Sequence, residues 1–147
     1  MFATNHALSG ALIGSVLPLQ LALPVAFASH FVLDACPHYG IARKLRNKSR
    51  LYRLLVKSDI AVALTGALGI AVLHKWHMES GAWVAWSPDL LWVIYYFTHN
   101  KTLQMHPKNR FMKFHLDIQR CERPWGIIVE AIFFATLLPV YLHQLLK

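Results

Sequence analysis

The sequence predicts an all-α fold, a helical integral membrane protein, on three observations. Hydrophobic residues fill 56% of the 147 positions and charged residues only 15%, about ten points more apolar and ten points less charged than an average soluble domain. Fifteen Lys and Arg against seven Asp and Glu leave a net charge of +8, and most of that excess falls in two blocks between apolar stretches. Five stretches are apolar enough to enter a bilayer, measured against the roughly 20 helical residues of a full span. Seven Gly, seven Pro and 12% aromatic residues exclude collagen-like, low-complexity and disordered classes. The length points to a single membrane domain over 1–147.

The first segment runs from about Thr4 to Leu17 and the second from about Leu21 to Cys36. Both are short, and Pro18 and Pro24 mark the turn of a tight N-terminal hairpin because proline lacks an amide donor and disfavours helix before it. The third segment (about 56–73), the fourth (about 82–98) and the fifth (about 126–146) come closer to full spans. Ala26-Phe27-Ala28 resembles a signal-peptide cleavage site, but Met1 to Gly10 carries no basic residue, so the hairpin is expected to be retained. In the second basic loop Phe111, Phe114, His115, Ile118 and Cys121 recur at helical spacing among Lys113, Arg120 and Arg123. That pattern fits a short interfacial amphipathic helix as well as it fits a solvated loop. Cys36 and Cys121 lack paired spacing and read as free thiols.

Orientation follows from the Lys and Arg in the loops. The loop over 38–57 carries Arg43, Lys44, Arg46, Lys48, Arg50, Arg53 and Lys57 without an acid. The loop over 99–125 carries Lys101, Lys108, Arg110, Lys113, Arg120 and Arg123 against Asp117 and Glu122. Both loops and the N-terminus are therefore placed in the cytoplasm. No basic module with exposed aromatics is present, so no nucleic-acid partner is expected. The bilayer is the expected partner, and a five-helix bundle is thin enough to be compatible with a homo-oligomer.

Ionisable side chains are expensive inside a bilayer, so each one is a candidate functional group. With this topology His6, His30, Asp34, His38, Asp59, His115 and Glu130 fall near the cytoplasmic level, and Asp89 lies deeper in the fourth segment. His30 and Asp34 are four residues apart and project from one helix face, a spacing that lets two ligands share a metal. His6, Gly10 and Gly14 form one stripe, which brings that face close to a neighbouring helix. Asp59, Gly66 and Gly69 lie broadly on one side of the third segment. The blander reading of each residue is an interfacial histidine, a helix cap or a snorkelling carboxylate. A mixture of His nitrogen and carboxylate oxygen suits Zn²⁺ best, with Mn²⁺ and Fe²⁺ as alternatives.

The segment His6-x3-Gly10-x3-Gly14, followed by Ser29-His30-Phe31-Val32-Leu33-Asp34-Ala35-Cys36-Pro37-His38, resembles the prokaryotic membrane-bound metal-dependent hydrolases of the YdjM-like group. Ser87-Pro88-Asp89 and His115-x3-Gln119-x5-Trp125-Gly126-x3-Glu130 look like its shorter relatives. The resemblance implies His6, His30, Asp34 and His38 as metal ligands, with Asp59 and Asp89 as further ligands or their supports. It also implies the prokaryotic inner membrane. The chain lacks the His-Arg-Gly-x-Thr-His-Ser stretch of the larger family members, and Phe97-Thr98-His99-Asn100 is its nearest fragment.

The resulting expectation is a metal-dependent hydrolase at the cytoplasmic leaflet. His30 and Asp34, joined by one or two of His6, His38 and Asp59, hold the ion. Glu130, Asp89 or His115 serves as the base. The basic loops favour a phospholipid or lipid-linked phosphoester as substrate. The alternatives are a metal-ion or proton transporter and a non-enzymatic oligomeric membrane protein.

Overall fold

The computed structural model describes residues 1–99 and 106–147; Lys101, counted above in the second basic loop, lies outside the described residues. Helices α1 (Ala3–Val16) and α2 (Leu19–Ala35) form the expected hairpin, broken at Leu17-Pro18. Pro24 does not belong to the turn. It sits inside α2, where it forfeits one amide bond without ending a helix that packs on both α1 and α5. Cys36-Pro37 ends α2, and the two-residue strand β1 (His38–Tyr39) follows.

A short α3 (Arg43–Arg46) leads into α4 (Arg50–Val72), whose start is capped by Ser49 Oγ accepting from Tyr52 N at 3.1 Å. Helix α4 thus begins one and a half turns before the apolar stretch, because Arg and Lys are good helix formers and the cap lies upstream of them. Helix α5 (Trp76–Thr98) returns alongside α1. Of the two readings of the second basic loop, the structure has the helix, α6 (Arg110–Ile118), capped by Asn109 Oδ1 accepting from Met112 N at 2.8 Å. It buries Met112, His115 and Leu116 and leaves Phe114 exposed. A 3-10 turn and strand β2 (Glu122–Arg123) come next, β2 pairing parallel to β1 with His38 opposite Glu122. Helix α7 (Gly126–Leu145) closes the described chain.

The expectation of about five membrane segments is corrected here. Among the described residues only α4 and α7 are long and apolar enough to cross a membrane. With 14 and 17 residues, α1 and α2 reach only about 21 and 26 Å, against a hydrocarbon core of about 30 Å. Helix α5 has the length, but Trp, Tyr and the Ser87-Pro88-Asp89 step interrupt its apolar character, and it buries residues from Met78 to Tyr95. It is a core helix. A face that meets other helices and a face that meets lipid carry the same residue types, so the apolar pattern alone did not separate them.

Helix α1 lies at the centre, against α2, α4, α5 and α7. Its crossing with α5 depends on two glycines: a Cβ on Gly10 would stand 2.2 Å from the Gly81 carbonyl oxygen, and one on Gly81 would stand 2.1 Å from that of Gly10. The Gly10-Gly14 stripe therefore packs as its spacing predicts, with Gly14 against His77. The glycines of α4 do not. Nothing lies within 4 Å of a Cβ at Gly69, and Gly66 serves by accepting a hydrogen bond from Tyr141 Oη on its carbonyl at 3.1 Å.

The start of α1 is buried, so its leading amides need acceptors that water cannot supply. Phe2 N donates to both Glu130 carboxylate oxygens at 3.0 and 3.1 Å. Ala3 N and Thr4 N donate to the two Asp59 oxygens at 2.7 and 3.0 Å. Two negative charges thus face the positive end of the helix dipole.

The α1–α5 crossing has no room for side-chain branches. Gly10→Val or Gly81→Val is expected to cost about 2 kcal/mol or more through overpacking, read as a lower unfolding temperature in detergent. Gly69→Ala, facing open space in the last turn of α4, is expected to leave that temperature unchanged or to raise it.

Candidate metal centre

Three helices deliver one compact cluster. Helix α2 contributes His30 and Asp34 from adjacent turns of one face, α5 contributes Asp89, and α6 contributes His115. One ligand atom from each lies within 4.8 Å of all the others. His30 Nε2 is 2.9 Å from His115 Nε2, 3.3 Å from Asp34 Oδ2 and 3.9 Å from Asp89 Oδ1. His115 Nε2 is 2.8 Å from Asp34 Oδ2 and 3.6 Å from Asp89 Oδ1. Tetrahedral zinc with bonds of about 2.0–2.1 Å sets its ligand atoms about 3.3 Å apart, a value that these five separations bracket. The cluster could hold a metal ion.

The groups around the cluster determine which nitrogens carry protons. His30 Nδ1 is 2.8 Å from the Ala85 carbonyl oxygen. A carbonyl only accepts, so Nδ1 carries the proton and Nε2 turns a lone pair inward. That is the arrangement of a metal-binding histidine oriented by a backbone acceptor. His115 has the opposite tautomer. Trp92 Nε1, which only donates, bonds to His115 Nδ1 at 3.0 Å, so the neutral ring keeps its proton on Nε2 and donates it to Asp34 Oδ2. For His115 to ligate an ion through Nε2, that proton must leave and the indole contact must yield. His30, Asp34 and Asp89 fit a divalent ion as they stand, and His115 fits a hydrogen-bond donor beside it.

Asp34 gathers most of the remaining donors. Gln119 Nε2 donates to its Oδ2 at 2.9 Å, His6 Nε2 donates to its Oδ1 at 3.2 Å, and the Met1 amino group also contacts Oδ1. The His6 ring stacks on His30 with centroids 4.0 Å apart. Its buried Nδ1 has no hydrogen-bond partner among the described residues. His30, Asp34 and His115 are sealed from solvent, whereas Asp89 is 21% exposed. Asp89 and Gln119 face a cavity of about 360 Å³ between α4 and α5. Access to the cluster therefore runs past Asp89.

Of the expected metal ligands, the structure gathers His30 and Asp34 and sets His6 against them. Asp59 lies at the start of α1, bonded to two amides. His38 is also apart: its Nδ1 donates to the Cys36 carbonyl at 2.8 Å, and Gly126 packs on its backbone so tightly that a Cβ there would stand 2.1 Å from the His38 carbonyl. Of the expected catalytic groups, Asp89 and His115 belong to the cluster. Glu130 binds Phe2 N and accepts from Asn5 Nδ2 at 2.7 Å. Trp92 was not singled out in the sequence, and Gln119 stood in the His115-x3-Gln119 motif without a role. Gln119 stands four residues after His115 and Trp92 three after Asp89, and that helical spacing was the signal available for finding them.

Burial pushes the His38 imidazole down from its ordinary 6.5 to about 4. Between those values the unfolded chain binds a proton that the folded protein refuses, so stability falls as pH drops from 6.5 toward 4. Thermal unfolding in detergent at pH 7.5 and 4.5 is expected to show this loss, and His38→Asn is expected to reduce it.

In comparisons with known proteins, no family model, curated protein or solved structure matches this chain.

Proposed function

We propose that the protein is a membrane-associated metal-dependent hydrolase that cleaves a phosphoester of a lipid or lipid-linked substrate at the cytoplasmic leaflet of a prokaryotic inner membrane, with zinc as the preferred ion. The observation that carries this reading is the His30, Asp34, Asp89 and His115 cluster, held at ligand separations and reached from a cavity. His30 Nε2 and the Asp34 and Asp89 carboxylates supply the lone pairs that hold the ion. A bound divalent ion supplies Lewis acidity and lowers the pKa of water to about 7. Hydrolysis adds hydroxyl to phosphorus and a proton to the leaving alcohol as the ester P–O bond breaks. Asp89, the member that meets the cavity, would hold the ion through Oδ1, the oxygen facing His30 and His115, and its other carboxylate oxygen accepts the proton from water and returns it to the leaving oxygen. His115, with Trp92 keeping its proton on Nε2, donates that N–H to Asp34 Oδ2 and so fixes the carboxylate that would hold the ion.

The placement rests on the two long apolar helices. Helix α4 starts among Arg50, Arg53 and Lys57, and α7 follows Arg120 and Arg123. Asp59 and Glu130, from the early turns of these helices, meet at the start of α1. Both basic ends therefore share one side, which the positive-inside rule assigns to the cytoplasm. A second reading is a polar lock without an ion, favoured by the hydrogen bonds through which Asp34, His115 and Gln119 already satisfy one another.

Inductively coupled plasma mass spectrometry of detergent-purified protein separates the two readings. Near-stoichiometric zinc, manganese or iron is expected, lost in His30→Ala and Asp34→Ala. Asp59→Asn is expected to keep the metal while costing about 1 kcal/mol as a weakened cap. His115→Gln is expected to keep the metal and slow hydrolysis of bis(p-nitrophenyl) phosphate. Folded wild-type protein that takes up no metal on reconstitution would overturn the hydrolase reading in favour of the polar lock.

A further inference from the structure

The cavity beside the cluster has two kinds of wall. On α4, Arg53, Lys57 and Ile60 line it from one face at helical spacing, and on α5 Trp86, Val93 and Phe97 do the same. Arg53 and Lys57 are exposed and form no ion pair among the described residues; Arg46 nearby is already neutralised by Glu122. Arg53 donates one guanidinium N–H to the Asn47 carbonyl, and together with Lys57 one turn on it gives the chamber a positive rim that favours an anion. Most of the remaining wall is apolar, although Asp59, Asp89, Gln119 and Glu122 also line it, and Phe97 is 68% exposed, so the chamber opens past it, next to a helix long and apolar enough to lie in a bilayer. At about 360 Å³ the chamber sits at the low end of the range for small-ligand pockets, about 300–1,000 Å³. It has space for a headgroup and the first part of one chain, with the rest leaving through the lateral opening.

We propose that this chamber binds a single amphiphile, with its phosphate on Arg53 and Lys57 and its hydrocarbon chain along Ile60, Trp86, Val93 and Phe97. Charge complementarity selects the headgroup, and the bilayer-facing exit selects a lipid over free phosphate. Asp89 lines the same chamber, so the bound phosphoester sits at the approach to the metal cluster. The orientation toward Asp89 rests on the hydrolase reading; the binding itself does not.

The test uses full-length protein carrying Trp76→Phe, Trp83→Phe and Trp125→Phe, which leaves Trp86 and Trp92, both on the chamber wall, as the emitters. Phosphatidic acid with a brominated acyl chain is titrated in dodecyl maltoside and compared with brominated phosphatidylcholine. Phosphatidic acid is expected to quench at a mole fraction at least about tenfold lower, a difference of about 1.4 kcal/mol. The Arg53→Ala/Lys57→Ala pair is expected to abolish that preference, and Val93→Phe, which fills the chamber, to weaken quenching by both lipids. Equal quenching by the two lipids, a preference that survives the double substitution, or displacement by inorganic phosphate at the same concentration would each overturn the proposal. His30→Ala, which removes the metal, is expected to be quenched as wild type is; wild-type protein that binds phosphatidic acid but takes up no metal on reconstitution would refute the hydrolase reading and leave the binding proposal standing.

Discussion

The fold depends on satisfying the buried amino-terminal turn of α1. A helix start hidden from water leaves several amide hydrogens and a concentrated positive dipole without partners, and leaving them so would cost a few kcal/mol. Asp59 from α4 and Glu130 from α7 answer that need, each carboxylate accepting from the α1 backbone. The two longest apolar helices are thereby pinned at one level of the central helix. Burying these carboxylates is costly by itself, and the amide hydrogens they receive are what make it tolerable. Each side of the contact needs the other.

The position of α1 in turn shapes the cluster. His6, one turn beyond the capped start, reaches Asp34 and stacks on His30, while Gly10 and Gly81 let α5 approach α1 closely, with the Ala85 carbonyl accepting a hydrogen bond from His30 Nδ1. Trp92, two turns further along α5, sets the opposite tautomer on His115. One helix thus gives the two histidines different chemistry, a lone pair turned inward on one and a proton on the other. The same donors form a closed hydrogen-bonded set and stand at metal-ligand separations, because both arrangements need polar atoms about 3 Å apart.

Access is as uneven as protonation. His30, Asp34 and His115 are enclosed, and Asp89 alone among the four meets the cavity. An ion held there would be shielded on the α2 and α6 side and open toward the gap between α4 and α5. The basic residues at the start of α4 border that same gap, so the charge that orients the helix in a membrane also lines the approach to the cluster.

Much of this was legible from residue spacing. The helical hairpin, the His30–Asp34 pair on one face, the small-residue stripe of α1 and the amphipathic α6 are local periodic patterns, and local periodicity is what a sequence displays directly. The number of helices able to span a bilayer was not legible, since α1 and α5 turn apolar faces to protein neighbours, a pattern that lipid contact would also produce, and α2 is apolar but too short. Nor could composition divide the carboxylates. Asp34, Asp59, Asp89 and Glu130 look alike as buried acids in apolar segments, and what distinguishes them is the partner each meets. Amides at the start of another helix claim Asp59 and Glu130; His6, His115 and Gln119 donate to Asp34, and Asp89 stands 3.6 and 3.9 Å from the cluster imidazoles at the edge of the cavity. Those partners lie far along the chain, so the sequence by itself determined on which helix face each ionisable residue stands, while the tertiary structure alone decided which of them act as caps and which form the cluster, because a carboxylate's role is set by the groups opposite it.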